Sequence, residues 1–447
     1  MRFPLAVLAL GLSAAPLLAA PPVPGRDWPG FRGIRAAGVD PANGPLEWNV
    51  AEGKGVAWKV PVPGLAHASP IVWDDRVCVA TAIGPKPAEL KVGLYGDIAP
   101  VADEGEHEYR AMCFDRTSGK LLWNQLAKKA VPAIKRHTKA THANATPATD
   151  GKVLVAMFGS EGLHAFELAT GKPLWSKDLG VLDAGFFMVP DAQWGFGSSP
   201  VIEQGVVYLQ ADVQKGSFLA AFDAATGKEL WRTPRADVPT WGSPTPYEHG
   251  GALRIAVNGF RHAGGYDAKT GAEVWRMKAG GDIPIPTPQV AHGLIFLTSS
   301  HGGPRPIYAV KTAATGDVSL AAGSSANEHV AWSVERDGAY MPTPVVVGDT
   351  LFVLRDNGTV SAWDAKTGAK LFLERLGEGN SGYTASPVVA GDRLYLTSEE
   401  GETHVIRAGR SFERLGKGVI GETVLASPAV SGGTLYFRTR GHLVAVR

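Results

Sequence analysis

Phe222-Asp223-Ala224-Ala225-Thr226-Gly227-Lys228-Glu229-Leu230-Trp231 is the stretch that decides the fold, because the chain repeats it. Phe114-Asp115 to Trp123, Phe166-Glu167 to Trp175 and Tyr266-Asp267 to Trp275 have the same form. Trp363-Asp364 to Phe372 is a fifth copy, with phenylalanine in the last place. Each copy reads as a β-hairpin. An aromatic closes one strand, Asp is suited to an Asx-turn with the backbone two residues on, and Thr-Gly supplies the bend. Gly is there for its left-handed backbone. The next strand alternates and ends in Trp, whose apolar body fills a seam between sheets while its N–H seeks an acceptor. Trp58, Trp123, Trp175, Trp231, Trp275 and Trp332 are therefore expected to be structural blade tryptophans.

A second line precedes each copy. Ser or Thr, then Pro, opens a short apolar strand, a Gly or Asp turn and a second apolar strand, as in Ser199-Pro200 to Leu209. Proline costs no ladder bond at a strand's first residue. These prolines fall at Pro70, Pro147, Pro200, Pro244, Pro288, Pro344, Pro387 and Pro428, at spacings of 77, 53, 44, 44, 56, 43 and 41 residues. Eight units of about 40–45 residues, with about four short strands each, predict an all-β, eight-bladed β-propeller. The two wide gaps hold insertions near Gly84–Glu108 and Ala313–Glu328, expected as surface loops. The last unit lacks its Trp strand, and an orphan of that type, Gly55-Val56-Ala57-Trp58-Lys59-Val60, lies near the N-terminus. Pairing it into the last blade closes the ring and removes its open edges. The alternative is seven blades plus an accessory domain, since the fifth and seventh units have degenerate turns at Ala314-Thr315-Gly316 and Arg407-Ala408-Gly409-Arg410.

These lines resemble the PQQ-binding-like β-propeller repeat family, over residues 56–447. Asp27-Trp28-Pro29-Gly30-Phe31-Arg32-Gly33 is similar to the N-terminal signature of its exported bacterial members. The family includes quinoprotein dehydrogenases and non-catalytic scaffolds, among them an outer-membrane assembly lipoprotein, so fold does not give function. In alcohol dehydrogenases of this type the resemblance implies PQQ and Ca2+ in the channel mouth, with paired adjacent cysteines above the quinone. This chain has only Cys78 and Cys113, in neighbouring strands of the first unit. One disulfide and two buried thiols are both open readings of that pair.

Composition agrees with an exported globular chain. There are 447 residues, 45% hydrophobic and 19% charged, which argues against disorder. A net charge of +1 gives no field for recruiting nucleic acid or anionic membrane. Gly 55 and Pro 32 favour turns and short strands. Residues 1–20 read as a signal peptide: Arg2, an apolar run from Leu5 to Leu18, then small residues before Pro21. Residues 21–55 form an N-terminal extension and 56–447 the propeller. No cysteine follows the cleavage site, so the mature chain is expected in the periplasm or outside the cell without a lipid anchor. No later segment is apolar enough to span a bilayer.

The loops before each Ser/Thr-Pro are expected to converge at the channel mouth. They offer His67, His142, Asn144, Trp194, Trp241 and Tyr383 as ligand-binding candidates. The carboxylates there, Glu422 and Asp282, are too few for the six to eight oxygens that Ca2+ takes. No metal site and no catalytic set is read. His262 and His301 lack metal-ligand spacing, and the acidic run Asp97, Asp103, Glu104, Glu106, Glu108 reads as a solvated loop. The expectation is a monomeric, non-catalytic secreted propeller, a scaffold for an unknown protein or small ligand, with no cofactor. The alternative is a PQQ- and Ca2+-dependent alcohol or sugar dehydrogenase without the cysteine pair.

Overall fold

The computed structural model describes residues 20–447 apart from 87–88, 95–97, 102, 104 and 279. The expected signal peptide thus lies outside the described residues, save Ala20. The chain forms eight antiparallel blades around a channel. Blade 1 runs from Ile71–Trp73 through Arg76–Ile83 and His107–Asp115 to Leu121–Ala130, inside to outside. Blades 2 to 7 repeat this order, opening at Ala148, Val201, Thr245, Gln289, Val345 and Val388. Blade 8 joins Ala429–Ser431, Thr434–Arg438 and His442–Val446 to the N-terminal strand Val56–Pro61, with Trp58 opposite Ala445. The ring is closed as expected, and the count is eight. Among the described residues no helix is long and apolar enough to cross a membrane.

The repeat becomes intelligible between blades rather than within them. Trp58 Nε1 donates to Arg116 O at 2.9 Å, Trp123 to Leu168 O at 3.0 Å and Trp175 to Ala224 O at 2.9 Å. Trp231 donates to Ala268 O and Trp332 to Ala365 O, both at 3.0 Å. Each acceptor directly follows the Asp (or Glu167) of the next blade's turn. The turn carboxylate accepts mainly from three residues on, not two: Asp223 takes both the Thr226 N–H at 2.8 Å and its hydroxyl at 2.7 Å. The turn glycine lies under the neighbour's indole. A Cβ on Gly227 would sit 2.6 Å from Trp175, and one on Gly171 2.6 Å from Trp123. Every blade also has a register shift between its third and fourth strands, such as Ala221/Phe222. A bulge of this kind increases local twist, which turns the Trp toward the next blade.

Three seams depart from the rule: blade 6 ends in Phe372, which has no N–H and packs on Phe412 of blade 7 at 5.7 Å between centroids, and two others are filled differently. Trp275 donates to Tyr247 Oη of its own blade at 2.9 Å and packs over Gly265. Blade 5 has no Asp-x-x-Thr-Gly turn to receive it. The second insertion is not only a surface loop, because Gly316–Asp317 adds a fifth, parallel strand beside Trp275 and covers it. Blade 7 has no Trp in its outer strand. Trp48, on the strand Trp48–Asn49 paired with Gly418 and Val419, fills the gap between Tyr395 and Phe437.

A second ring runs around the channel. The N–H of Ser69 donates to the hydroxyl of Thr146, Thr146 to Ser199, Ser199 to Ser243 and Ser243 to Thr287. Thr287 continues to Thr343, Thr343 to Ser386 and Ser386 to Ser427. The Ser/Thr before each proline is thus a link from blade to blade. The chain of links stops at Ser427, and the buried Ser69 hydroxyl has no hydrogen-bond partner among the described residues. The break falls at the seam between blades 8 and 1.

Cys78 and Cys113 stand directly opposite in blade 1 with Cα atoms 4.0 Å apart and their sulfurs bonded. The loop entropy of this crosslink predicts that Cys78→Ala with Cys113→Ala lowers stability by about 3–4 kcal/mol, measured by urea unfolding. Two glycines separate the cost of the turn from the cost of the clamp. Gly205 (φ 77°) has open space where a Cβ would go, whereas Gly227 (φ 69°) has Trp175. Gly205→Ala is expected to lose about 1–2 kcal/mol from backbone strain, and Gly227→Ala about 1–3 kcal/mol more from displacing the indole. Equal losses in the same unfolding assay would show that the clamp contributes nothing.

Candidate functional site

The channel is sealed at one end by the N-terminal extension. Trp28 pairs with Val72 main chain to main chain at 2.6 and 2.9 Å, and Pro29 O accepts from Thr149 N at 2.8 Å. This anchoring holds Phe31 at the bottom of the channel and drives Arg32, with a left-handed backbone (φ 59°), into the protein. Its guanidinium is fully buried and meets carbonyls alone: Pro387 O at 2.5 Å, Pro344 O at 2.8 Å, Thr343 O at 3.2 Å and Ala36 O at 3.4 Å. Burial without a carboxylate lowers its pKa to about 9, so it remains a cation at neutral pH.

Above this floor is a well of about 680 Å3. His67, Asn144, Trp194 and Trp241 line it, as the sequence suggests. Trp241 is fixed by its indole N–H to Gly195 O at 2.8 Å and its main-chain N–H to Pro284 O at 2.9 Å. Trp194 stacks on Phe186 at 5.4 Å between centroids and donates to Ile98 O at 3.1 Å. The first insertion, expected as a surface loop, therefore reaches over the mouth, where Leu94 and Ile98 face the well. Asn144 has little left for a ligand. Its Oδ1 accepts from Thr141 N at 2.9 Å and Oγ1 at 2.8 Å, and its Nδ2 donates to Phe196 O at 3.1 Å. His67 Nε2 donates to Lys139 O at 2.9 Å, and burial pushes its pKa down to about 4.

Two candidates lie elsewhere. Tyr383, on the loop before blade 7, is buried against Gly358 of blade 6 and does not line the well. His142 lies outside the well, over a second cavity at the seam of blades 8 and 1, beside Asp103 and His107. Asp103 thus departs from the solvated-loop reading: Arg136 Nε holds its Oδ2 at 2.5 Å, and its pKa falls well below the usual range through His142 and Arg136 against the cost of burial. Asp97 and Glu104 of that run lie outside the described residues.

The well and its mouth also hold Lys139 and Glu399, which the sequence does not single out, and Asp282 and His301, which it names without giving them a role in binding. Lys139 Nζ meets both oxygens of Glu399 at 2.8 Å, and both side chains are buried. Thr384 Oγ1 and Gly93 N also donate to Glu399, at 2.6 and 2.7 Å. This pair straps blade 2, the first insertion and blade 7 together across the mouth. His301 Nδ1 lies 2.5 Å from Asp282 Oδ1, with the Tyr340 ring 5.4 Å from the imidazole. Asp356 has its pKa raised by burial. These residues are far apart in the chain, and no local pattern marks them. Asp282 and Glu399 already have partners, and among the described residues no three His, Cys, Asp or Glu side chains converge in the well. The donors do not fit the oxygen shell that Ca2+ beside PQQ demands.

A family model described as outer membrane protein assembly factor BamB matches residues 44–181, 107–240 and 214–447. The chain is 25% identical over 285 residues to the tetrathionate hydrolase of Acidithiobacillus ferrooxidans, covering 58% of this chain and 54% of that protein. It is 30% identical over 272 residues to the assembly factor BamB of Burkholderia pseudomallei, covering 55% and 64%. The matches thus span less than two thirds of these relatives' length. Among solved structures, BamB from Moraxella catarrhalis superposes with a TM-score of 0.57 at 14% identity, over 87% of this chain and 96% of that one. A quinohaemoprotein alcohol dehydrogenase from Comamonas testosteroni gives 0.58 at 13%, over 94% and 80%. At such identities the likeness is one of fold.

The well's histidine gives a pH prediction. Unfolded, His67 takes up a proton near pH 6.5; folded, it stays neutral down to about pH 4. Its contribution to stability is whole above about pH 6.5 and is lost as pH falls toward 4. His67→Gln is expected to reduce the proton uptake on unfolding between pH 6 and 4.5 by about one, measured from the slope of unfolding free energy against pH. An unchanged slope would mean that His67 is already charged in the fold.

Proposed function

The chain belongs to the PQQ-like repeat family whose model is described as outer membrane protein assembly factor BamB, and from that premise we propose that it is an exported propeller of the cell envelope that binds a small flat ligand in its well. One observation carries this reading: the well is floored by Phe31, walled by Trp194 and Trp241, and bordered by polar groups that include His67, Lys139, His301, Arg305 and Asp356. A well of several hundred cubic ångströms with an aromatic wall and a few charged groups on its lining suits a small molecule. Trp194 and Trp241 touch each other, with ring centroids 5.8 Å apart, so together they form one wall on which a flat ligand lays one face.

A second reading rests on the Asp282–His301 contact. A carboxylate at Nδ1 fixes the imidazole tautomer and leaves Nε2 as a base, the arrangement used in hydrolysis. One relative is named for hydrolysing tetrathionate, a small anion, so that compound belongs in any test.

The experiment is a tryptophan-fluorescence titration with flat aromatic carboxylates, tetrathionate and PQQ, each with and without Ca2+. Saturable quenching that does not depend on Ca2+ is expected. Trp241→Phe should weaken it about threefold to tenfold. His301→Asn should abolish turnover of tetrathionate if the second reading holds. Quenching by PQQ only with Ca2+ would return the chain to the quinoproteins. No quenching by any probe, together with a protein cross-linked over the mouth, would make it a scaffold.

A further inference from the structure

The second cavity, about 880 Å3 in volume, lies between blades 8 and 1 and has no part in the well. On its wall Asp103, His107 and His142 bring three ligand atoms within 4.8 Å of one another. They come from the first insertion, the third strand of blade 1 and the approach to blade 2. We propose that these three side chains bind a divalent transition metal, with Zn2+ the ion of choice outside the cytoplasm.

The geometry supports this at each ligand. His107 Nδ1 lies 3.1 Å from Gly105 O. A carbonyl only accepts, so Nδ1 carries the proton and Nε2 keeps its lone pair. Metal-binding histidines are oriented by such a second hydrogen bond. Gly84 lies beside that lone pair, and a Cβ there would come 2.7 Å from His107 Nε2. The glycine keeps open the space an ion enters. His142 Nε2 is buried, lies 3.1 Å from Asp103 Oδ2, and has no aligned hydrogen-bond partner among the described residues. Its ring meets that of His107 edge-on, with centroids 5.1 Å apart. Arg136 donates to both Asp103 oxygens, at 2.5 and 3.1 Å. Each carboxylate oxygen has a second lone pair, so Asp103 is held in place yet free to ligate.

Two imidazoles and one carboxylate form the donor set of zinc and non-haem iron sites that leave a position open. Bonds of about 2.0–2.2 Å place tetrahedral ligand atoms about 3.3–3.6 Å apart. The set must therefore contract by about 1 Å, within reach of side-chain rotation. The open position faces the cavity, where Glu422 and Arg440 line the far side. The acidic loop supplies one ligand, so metal binding also fastens that loop to the blade 1 edge.

The test is competition of the purified mature protein with a chromophoric chelator for Zn2+. One equivalent is expected, bound at micromolar affinity or tighter, and Co2+ in its place should show the visible bands of a low-coordinate site. His107→Ala and Asp103→Asn should each weaken Zn2+ at least tenfold, while His292→Ala, on another blade, leaves it unchanged. Gly84→Ala removes no ligand but blocks Nε2, so it should weaken Zn2+ in a chain whose circular dichroism and melting temperature match the parent. Zn2+ affinity unaltered by Gly84→Ala and His107→Ala, or no bound equivalent, overturns the proposal. None of these results depends on what occupies the well.

Discussion

An indole over a glycine, with its N–H on the carbonyl across the seam, is the contact on which this ring depends. It joins two parts of the repeat that look unrelated in one unit. The Thr-Gly turn and the terminal Trp of one copy are neighbours in the sequence, Gly227 standing four residues before Trp231, but the Trp of one blade meets the turn of the next. Each repeat is therefore a donor to one neighbour and an acceptor for the other. Five such N–H bonds are formed, at about 1 kcal/mol each, and buried ring area adds more. Because the clamp fixes the distance and twist between blades, a regular circle follows from local geometry alone. The hydroxyl relay before the prolines repeats the same logic at the inner radius, with the main chain as donor and Ser or Thr as acceptor.

At two of the three seams without the clamp, another segment substitutes. Blade 7 lacks its tryptophan, and the N-terminal extension delivers Trp48 to the same seam. Blade 5 lacks its turn, and an inserted strand covers Trp275 instead. The extension also contributes Arg32 to the floor and its last strand to blade 8. One stretch of about forty residues thus closes the ring, repairs a seam and plugs the channel. A cation surrounded by main-chain carbonyls is an economical plug, since it bonds to atoms every propeller of this type presents, whatever its side chains.

The fold was legible because a repeat shows the same constraint several times over, and chance does not. Blade number and ring closure followed from Pro spacing and the orphan strand around Trp58. The wells and cavities were less legible. Each blade contributes one short loop to the mouth, so neighbours in the site are strangers in the chain, as with Lys139 and Glu399. Position before a Ser/Thr-Pro predicts the approach to the channel but not the direction of a side chain. His67 and Trp241 turn in, while Tyr383 turns between blades and His142 toward the outer seam. The meaning of Trp-Pro-Gly-Phe-Arg-Gly as a plug is likewise invisible, because its partners are carbonyls and leave no trace in residue identity.

The repeat also explains where chemistry can sit. Positions that serve the clamp or the relay are bound to one residue type, so they cannot specialise. What varies is what the repeat does not need: the mouth loops, the two insertions and the seam where the relay stops at Ser427. Three groups with displaced acid–base behaviour lie in such places. His67 and Asp356 belong to the mouth, and Asp103 to the first insertion beside the open seam. The turn aspartates Asp267 and Asp364 are lowered from their usual value, Asp267 against the cost of burial by the Thr270 side chain and backbone, Asp364 by the surface Arg410 and by Thr367. A propeller of this kind gains a function by lengthening a loop over a rigid rim, and the first insertion is the loop that here reaches both the well and the second cavity.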